Sequence, residues 1–219
     1  MTDVKGLLVM DVDSTLIEEE VIDLLGEHAG FGREIAQITE DAMNGQLDFK
    51  EALMKRVALL KGLPVSIFDK VYQDIHFQKG ARELVENLHK HSFKVGLVSG
   101  GFHETVDRLA QELDIDYVMA NRLEVMHGEL TGRTIGDVVS KETKLSKLLD
   151  WAKENHLDLS QTVAVGDGAN DLPMIKAAGV GIAFCAKDLV KREAPFQVNK
   201  TDLMEVFSIL NDEGMFTND

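Results

Sequence analysis

With a single cysteine, Cys185, in 219 residues, the chain can close no intrachain disulfide and build no cysteine-based zinc site. Prolines number only three, and no stretch is rich enough in Pro, Gly or Ser to serve as a linker or a low-complexity arm. Basic residues are scarce: 23 Lys and Arg face 38 Asp and Glu, a formal charge of −15. That balance argues against a sequence-independent grip on nucleic acid, so any phosphate-bearing ligand must meet local cations. Long apolar runs are missing too. The longest, 177–186, is too short to span a bilayer and carries two glycines, so it reads as buried strand and turn. The start, Met1-Thr2-Asp3-Val4-Lys5, lacks the basic region and apolar stretch of a signal peptide, which makes the cytoplasm the expected compartment. What remains, 44% apolar and 28% charged, is an ordinary folded protein of one large or two unequal domains.

Gly6-Leu7-Leu8-Val9-Met10 is an apolar run that stops at Asp11, the form of a strand covered on both faces. Four helical patterns follow without a strand: one from Glu18 broken at Gly30-Phe31-Gly32, one over 34–44, one over 49–61 stopped by Gly62, and one opened by Pro64. From Lys79 onward helices and strands alternate, the βαβ rhythm of a parallel sheet, with a β-hairpin around His127-Gly128. The predicted fold is therefore α/β: a three-layer Rossmann-like parallel sheet with an inserted small helical bundle and a β-hairpin insertion. The sheet domain is expected over 1–16 and 77–219 and the helical cap over 17–76.

Ligands of open α/β sheets bind beyond the carboxyl ends of the strands. Here those ends read Asp11-Val12-Asp13, Ser99-Gly100-Gly101 and Gly166-Asp167 through Asp171. Taken alone, Asp-x-Asp-Ser-Thr could be loop acids followed by a helix cap, and Ser-Gly-Gly could be a plain turn. Four acids, Asp11, Asp13, Asp167 and Asp171, at one sheet edge call for a cation, and an oxygen-only set at a phosphate site favours Mg²⁺. His89 and His91, at the end of a helix, are expected to face solvent, and only His103 stays open among the histidines. An ionised carboxylate attacks phosphorus without a base, so Asp11 could form an aspartyl-phosphate. Asp13, kept protonated by its neighbours, could serve the leaving alcohol. Ser99, the amides near Gly100 and a lysine from the helix after 140 would hold the phosphoryl oxygens. A dinucleotide fingerprint at Gly166-x-Gly168 is rejected, because its third glycine position holds Asp171. On the third helix Phe49, Leu53, Arg56 and Leu60 share a face, which sets a guanidinium inside an apolar stripe where it either snorkels or meets a partner.

These four segments, in this order, resemble the motifs of the haloacid dehalogenase superfamily of phosphatases. More narrowly, Met10 to Thr15, the acids at Glu18 to Glu20, Phe49 with Arg56 to Gly62, Ser99 to Phe102 and Val165 to Asp171 resemble the members that hydrolyse O-phospho-L-serine, the last step of serine biosynthesis. The resemblance implies Asp11 as nucleophile, Asp13 as acid and base with its backbone carbonyl on Mg²⁺, and Asp167 as a further metal ligand, with Asn170 and Asp171 orienting metal, water and phosphate. It implies Ser99, Gly100 and Lys144 on the phosphoryl oxygens, Lys141 being the alternative. Glu20 would take the substrate ammonium and Arg56 its carboxylate, with Phe49 and Met43 closing the pocket. Glu20 also suits a helix start through the dipole alone. One position departs from the pattern: Ala52 stands where a serine is usual. The expected partner is a small phosphomonoester, with no nucleic acid and no membrane, and oligomeric state is left open. Two other outcomes fit the residues, transfer of the phosphoryl group to an alcohol such as homoserine, and a non-catalytic phosphoacceptor module.

Overall fold

The computed structural model describes residues 3–43 and 46–216. The chain opens with β1 (Gly6–Met10), then α1 (Val21–Ala29), α2 (Gly32–Met43), α3 (Phe49–Ala58) and α4 (Ile67–Val71). After them come α5 (Ala81–Lys90), β2 (Phe93–Phe102), α6 (His103–Leu113), β3 (Tyr117–Met126), β4 (Glu129–Ile135) and α7 (Lys141–Glu154). The last third supplies β5 (Thr162–Gly166), α8 (Leu172–Ala177), β6 (Val180–Phe184), α9 (Asp188–Glu193), β7 (Phe196–Val198) and α10 (Met204–Asp212). One seven-stranded sheet runs in the order β4-β3-β2-β1-β5-β6-β7, parallel except for the β3–β4 pair.

Every residue of β1 is buried, and alternation divides them between two cores. Leu8 and Met10 join the face covered by α5, α6 and α10, whereas Leu7 and Val9 join the face covered by α7, α8 and α9. The apolar cluster of the first face continues without a break into Leu25, Ile35, Leu53, Val57, Leu60 and Phe68 of the helical insertion. β1 lies between β2 and β5, with Leu8 opposite both Val95 and Val163, so the loops leaving these three strands share one edge.

Four features differ from the sequence expectation. Ser99-Gly100-Gly101 belongs to β2 and forms a bulge: Val98 pairs with Met119 but Phe102 with Asn121, so the bulged residues stand against Ala120 alone. The strand expected to end at Ala120 is one with the hairpin, because β2 pairs with its first half and β4 takes over from Arg122. β7 carries no sequence signal, since a three-residue strand is too short for alternation to register. The histidines at the end of α5 also differ: His89 sits 3.1 Å from Asp116 and His91 packs against Phe207 and Phe216, so neither faces solvent freely.

The hairpin does more than decorate the edge. Leu130 takes the Gly62 amide at 2.8 Å and gives its own to Leu63, and Val65 donates to Gly128 at 2.9 Å. Pro64, with no N–H to satisfy, sits in the middle of this contact opposite Glu129. The end of α3 is thereby fastened to the sheet.

Candidate active site

Asp11 follows β1 directly, and its amide still bonds to Val165 of β5 at 3.0 Å. Its Oδ1 accepts from the Val12 amide at 2.8 Å and lies 2.9 Å from Lys144 Nζ. Lys144 also donates to Asp171 Oδ1 at 2.7 Å, while Asp171 Oδ2 takes the amides of Asp167 and Gly168 at 3.1 and 3.0 Å. Both Lys144 and Asp171 are 0% exposed. Ser140 and Thr143 cap α7 reciprocally and so fix the first turn that carries Lys144. Lys141, three residues earlier, points outward, 3.9 Å from Glu142, so the position that meets the acids is Lys144.

The glycines beside Asp171 have a steric reason. A Cβ on Gly166 would stand 2.4 Å from the Asp171 carboxyl carbon, and one on Gly168 would stand 2.4 Å from Asn170 Oδ1. The spacing that mimics a dinucleotide fingerprint thus lets acidic and amide side chains fold back over the backbone.

Ser14 and Thr15 cap no helix, contrary to the plain reading of that segment, because α1 starts only at Val21. Instead Ser14, in the left-handed region at φ 58°, turns the chain and donates to Glu20 Oε1 at 2.7 Å. The Thr15 hydroxyl leans on Asp167 at 3.4 Å.

One lysine does not neutralise this many acids. Burial, then Asp171, push Asp11 up to about 8 against the pull of Lys144, and burial with Asp171 raises Asp167 to about 6. Asp13 is held well above the ordinary carboxylate range by burial, by Glu20 and by Asp11. Its Oδ1 is buried with no hydrogen-bond partner. Lys144 would be pulled down by burial, but Asp11 and Asp171 reverse that and keep it charged. Carboxylate oxygens of Asp11, Asp167 and Asp171 lie within 4.8 Å of one another. An all-oxygen donor set carrying excess negative charge suits a hard divalent cation. Because Asp171 is already committed to Lys144 and two amides, Asp11 and Asp167 are the side chains best placed to receive it.

The helical insertion faces this edge. A Cβ on Gly100 would lie 3.3 Å from the tip of the Phe49 ring, which puts that ring directly over the β2 bulge. Asp48 and Glu51 form a capping box that fixes the start of α3 beside Phe49. Arg56 is held by Ala52, through its carbonyl at 3.2 Å, and by the Thr39 hydroxyl at 3.4 Å. Burial lowers its pKa, offset by Asp23, Glu20 and Asp13, so the guanidinium is within electrostatic reach of Asp13 at the sheet edge. Thr39 and Asp23 were not foreseen; Thr39 sits on α2, whose position against Arg56 no local pattern reveals. Met43 ends α2, and its side chain lies outside the described residues. His103 bonds Asp107 at 2.8 Å and accepts the Ala120 amide at 3.3 Å, tying α6 to β3.

The profile of the haloacid dehalogenase-like hydrolases matches residues 8–176. The chain is 67% identical to a phosphoserine phosphatase of Streptococcus thermophilus, with 98% of this chain and 100% of that protein aligned. A phosphoserine phosphatase of Lactococcus lactis is 60% identical, over 94% of this chain and 96% of its own. Among solved structures, a phospho-aspartyl intermediate analogue of phosphoserine phosphatase superimposes with a TM-score of 0.87 at 42% identity, covering 93% of this chain and 98% of that one. A substrate-bound phosphoserine phosphatase complex gives the same TM-score and identity, with 93% and 97% covered.

Proposed function

The chain belongs to the haloacid dehalogenase-like hydrolases and is a phosphatase, and we propose that it hydrolyses O-phospho-L-serine to L-serine and phosphate through an aspartyl-phosphate on Asp11. The observation that carries this reading is the half-buried Arg56 guanidinium, set within electrostatic range of Glu20 and Asp13 above the Asp11–Lys144–Asp171 cluster. A substrate with a phosphate at one end and an amino and a carboxyl group at the other matches both halves.

In this reading the Val12 amide and Lys144 occupy Asp11 Oδ1, and Oδ2 is the oxygen that attacks phosphorus. The bond between phosphorus and the serine oxygen breaks, and the carboxyl of Asp13, whose Oδ1 has no other partner, gives its proton to that oxygen. Asp13 then takes a proton from water, whose oxygen attacks the acyl phosphate, releasing inorganic phosphate and restoring Asp11. Ser99, the Gly100 amide and Lys144 hold the phosphoryl oxygens, and Asn170 and Asp171 keep the loop after β5 in place. Mg²⁺, held by the Asp11 and Asp167 carboxylates and the Asp13 carbonyl, would supply the charge that the phosphoryl oxygens need.

Residues 17–76 act as a cap domain on the sheet domain of 1–16 and 77–219, with Glu20 on the substrate ammonium, Arg56 on its carboxylate, and Phe49 and Met43 as its roof. By the same reading the enzyme works in the cytoplasm, at the last step of serine biosynthesis, on a small-molecule substrate. No helix among the described residues is long and apolar enough to cross a membrane.

A substrate panel tests this. With Mg²⁺, phosphoserine should exceed phosphoethanolamine and 3-phosphoglycerate by about 10- to 1,000-fold in kcat/KM, because each of those lacks one of the two charged groups proposed to meet Glu20 and Arg56. Equal rates on phosphoserine and phosphoethanolamine would remove phosphoserine as the substrate. Chelation should abolish turnover and Mg²⁺ restore it.

A further inference from the structure

Asn121 has no part in the chemistry above, yet it is 2% exposed on β3 and commits both ends of its carboxamide to backbone. Its nitrogen donates to the Gly100 carbonyl at 2.8 Å, and its oxygen accepts the Val139 amide at 2.8 Å. The partners fix the orientation, since a carbonyl only accepts and an N–H only donates. Gly100 lies inside the β2 bulge, where the register with β3 is broken. Val139 immediately precedes Ser140, the cap of the helix that carries Lys144.

The Gly100 carbonyl and the Gly101 amide belong to one planar peptide group. The amide end donates to Ser99 Oγ at 2.8 Å, so this plane is pinned at its oxygen by Asn121 and at its nitrogen by Ser99. The pinning also orients Ser99. With an acceptor lone pair of Oγ filled by Gly101, the hydroxyl hydrogen is free to be donated outward.

We propose that Asn121 is a positioning residue for phosphoryl transfer: it holds the Ser99–Gly101 peptides in donor geometry and locks them to the helix bearing Lys144. It touches neither the substrate nor the reacting atoms, and the inference rests on the phosphoryl-binding reading of Ser99, Gly100 and Lys144. It predicts that one buried amide sets the spacing of donors contributed by two separate segments.

Steady-state kinetics of Asn121→Leu and Asn121→Asp, on phosphoserine and on p-nitrophenyl phosphate, test it. Asn121→Leu should lower kcat about 10- to 100-fold on both substrates and leave their kcat/KM ratio unchanged, because both present the same phosphoryl group. Asn121→Asp keeps the acceptor for Val139 and can donate to Gly100 only while protonated. Its activity relative to wild type should therefore exceed that of Asn121→Leu at the acid end, and fall as its carboxyl ionises. Asn121→Leu within about threefold of wild-type kcat, Asn121→Asp matching Asn121→Leu at every pH, or a loss confined to phosphoserine would each overturn the proposal. Failure of the substrate assignment shows separately, as a wild-type enzyme without preference for phosphoserine. If neither variant folds, the wild type decides by NMR: the Asn121 side-chain amide resonances should shift on adding inorganic phosphate with Mg²⁺, and unmoved resonances overturn the proposal.

Discussion

The two halves of the site are built to different tolerances. On the sheet, Lys144 reaches two carboxylates at 2.7 and 2.9 Å, and Lys144 and Asp171 are fully buried. In the insertion, Arg56 is held by longer contacts of 3.2 and 3.4 Å, and Phe49 is 44% exposed. Groups that meet charge developing at phosphorus gain most from being fixed in advance, because no reorganisation is then needed during the reaction. Groups that recognise the rest of a substrate can wait for it, and the half-buried Arg56 has room for the substrate carboxylate proposed for it. On the proposed assignment of roles, chemistry is rigid here and selectivity is adjustable.

Substitution separates the halves. Asp11→Asn should lower turnover by at least about 10⁴-fold on every phosphomonoester, as loss of a nucleophile does, while the protein stays folded. Rapid-quench and steady-state rates check this, with mass spectrometry to exclude deamidation, and near-wild-type turnover would break the covalent mechanism. Asp13→Asn should cost about 10²–10⁴-fold on phosphoserine but less on p-nitrophenyl phosphate in single-turnover phosphoenzyme formation, because that leaving group needs little protonation. Equal losses would deny Asp13 its role as acid. Crossing to the insertion, Arg56→Ala should remove about 10- to 1,000-fold of kcat/KM on phosphoserine and leave p-nitrophenyl phosphate nearly as before. An unchanged ratio between the two substrates would show that the guanidinium grips no carboxylate. The smallest effect belongs to Thr39→Val: about a 2- to 10-fold rise in KM for phosphoserine with kcat unchanged, the worth of one hydrogen bond that orients Arg56. A fall in kcat instead would place Thr39 in the chemistry.

How much of this could be read in the sequence follows the range of the forces involved. The apolar run before Asp11 and the loop after β5 carry their signals within a few residues, and the structure brings both to one edge. Choosing Lys144 over Lys141 needs packing, since both lie on the first turn of α7 and only the fold buries one of them. Thr39 and Asn121 are invisible locally, because each acts through a neighbour brought close only by tertiary contact. The strand character of Ser99-Gly100-Gly101 was hidden for a related reason: local turn propensity points one way, and pairing with β3 overrides it.

The fastening of Gly62, Leu63 and Val65 to the hairpin bears on how substrate enters. A panel joined to its frame along one edge swings freely, but one pinned again at a second edge has to bend. Lifting the insertion off the hairpin would break three backbone hydrogen bonds, each worth about 0.5–1.5 kcal/mol net, which disfavours a fully raised arrangement. With the insertion as the proposed cap, exchange of substrate and product would cost least by flexing inside the panel, with the end of α3 left in place. The hairpin thus restrains how far the proposed cap can lift.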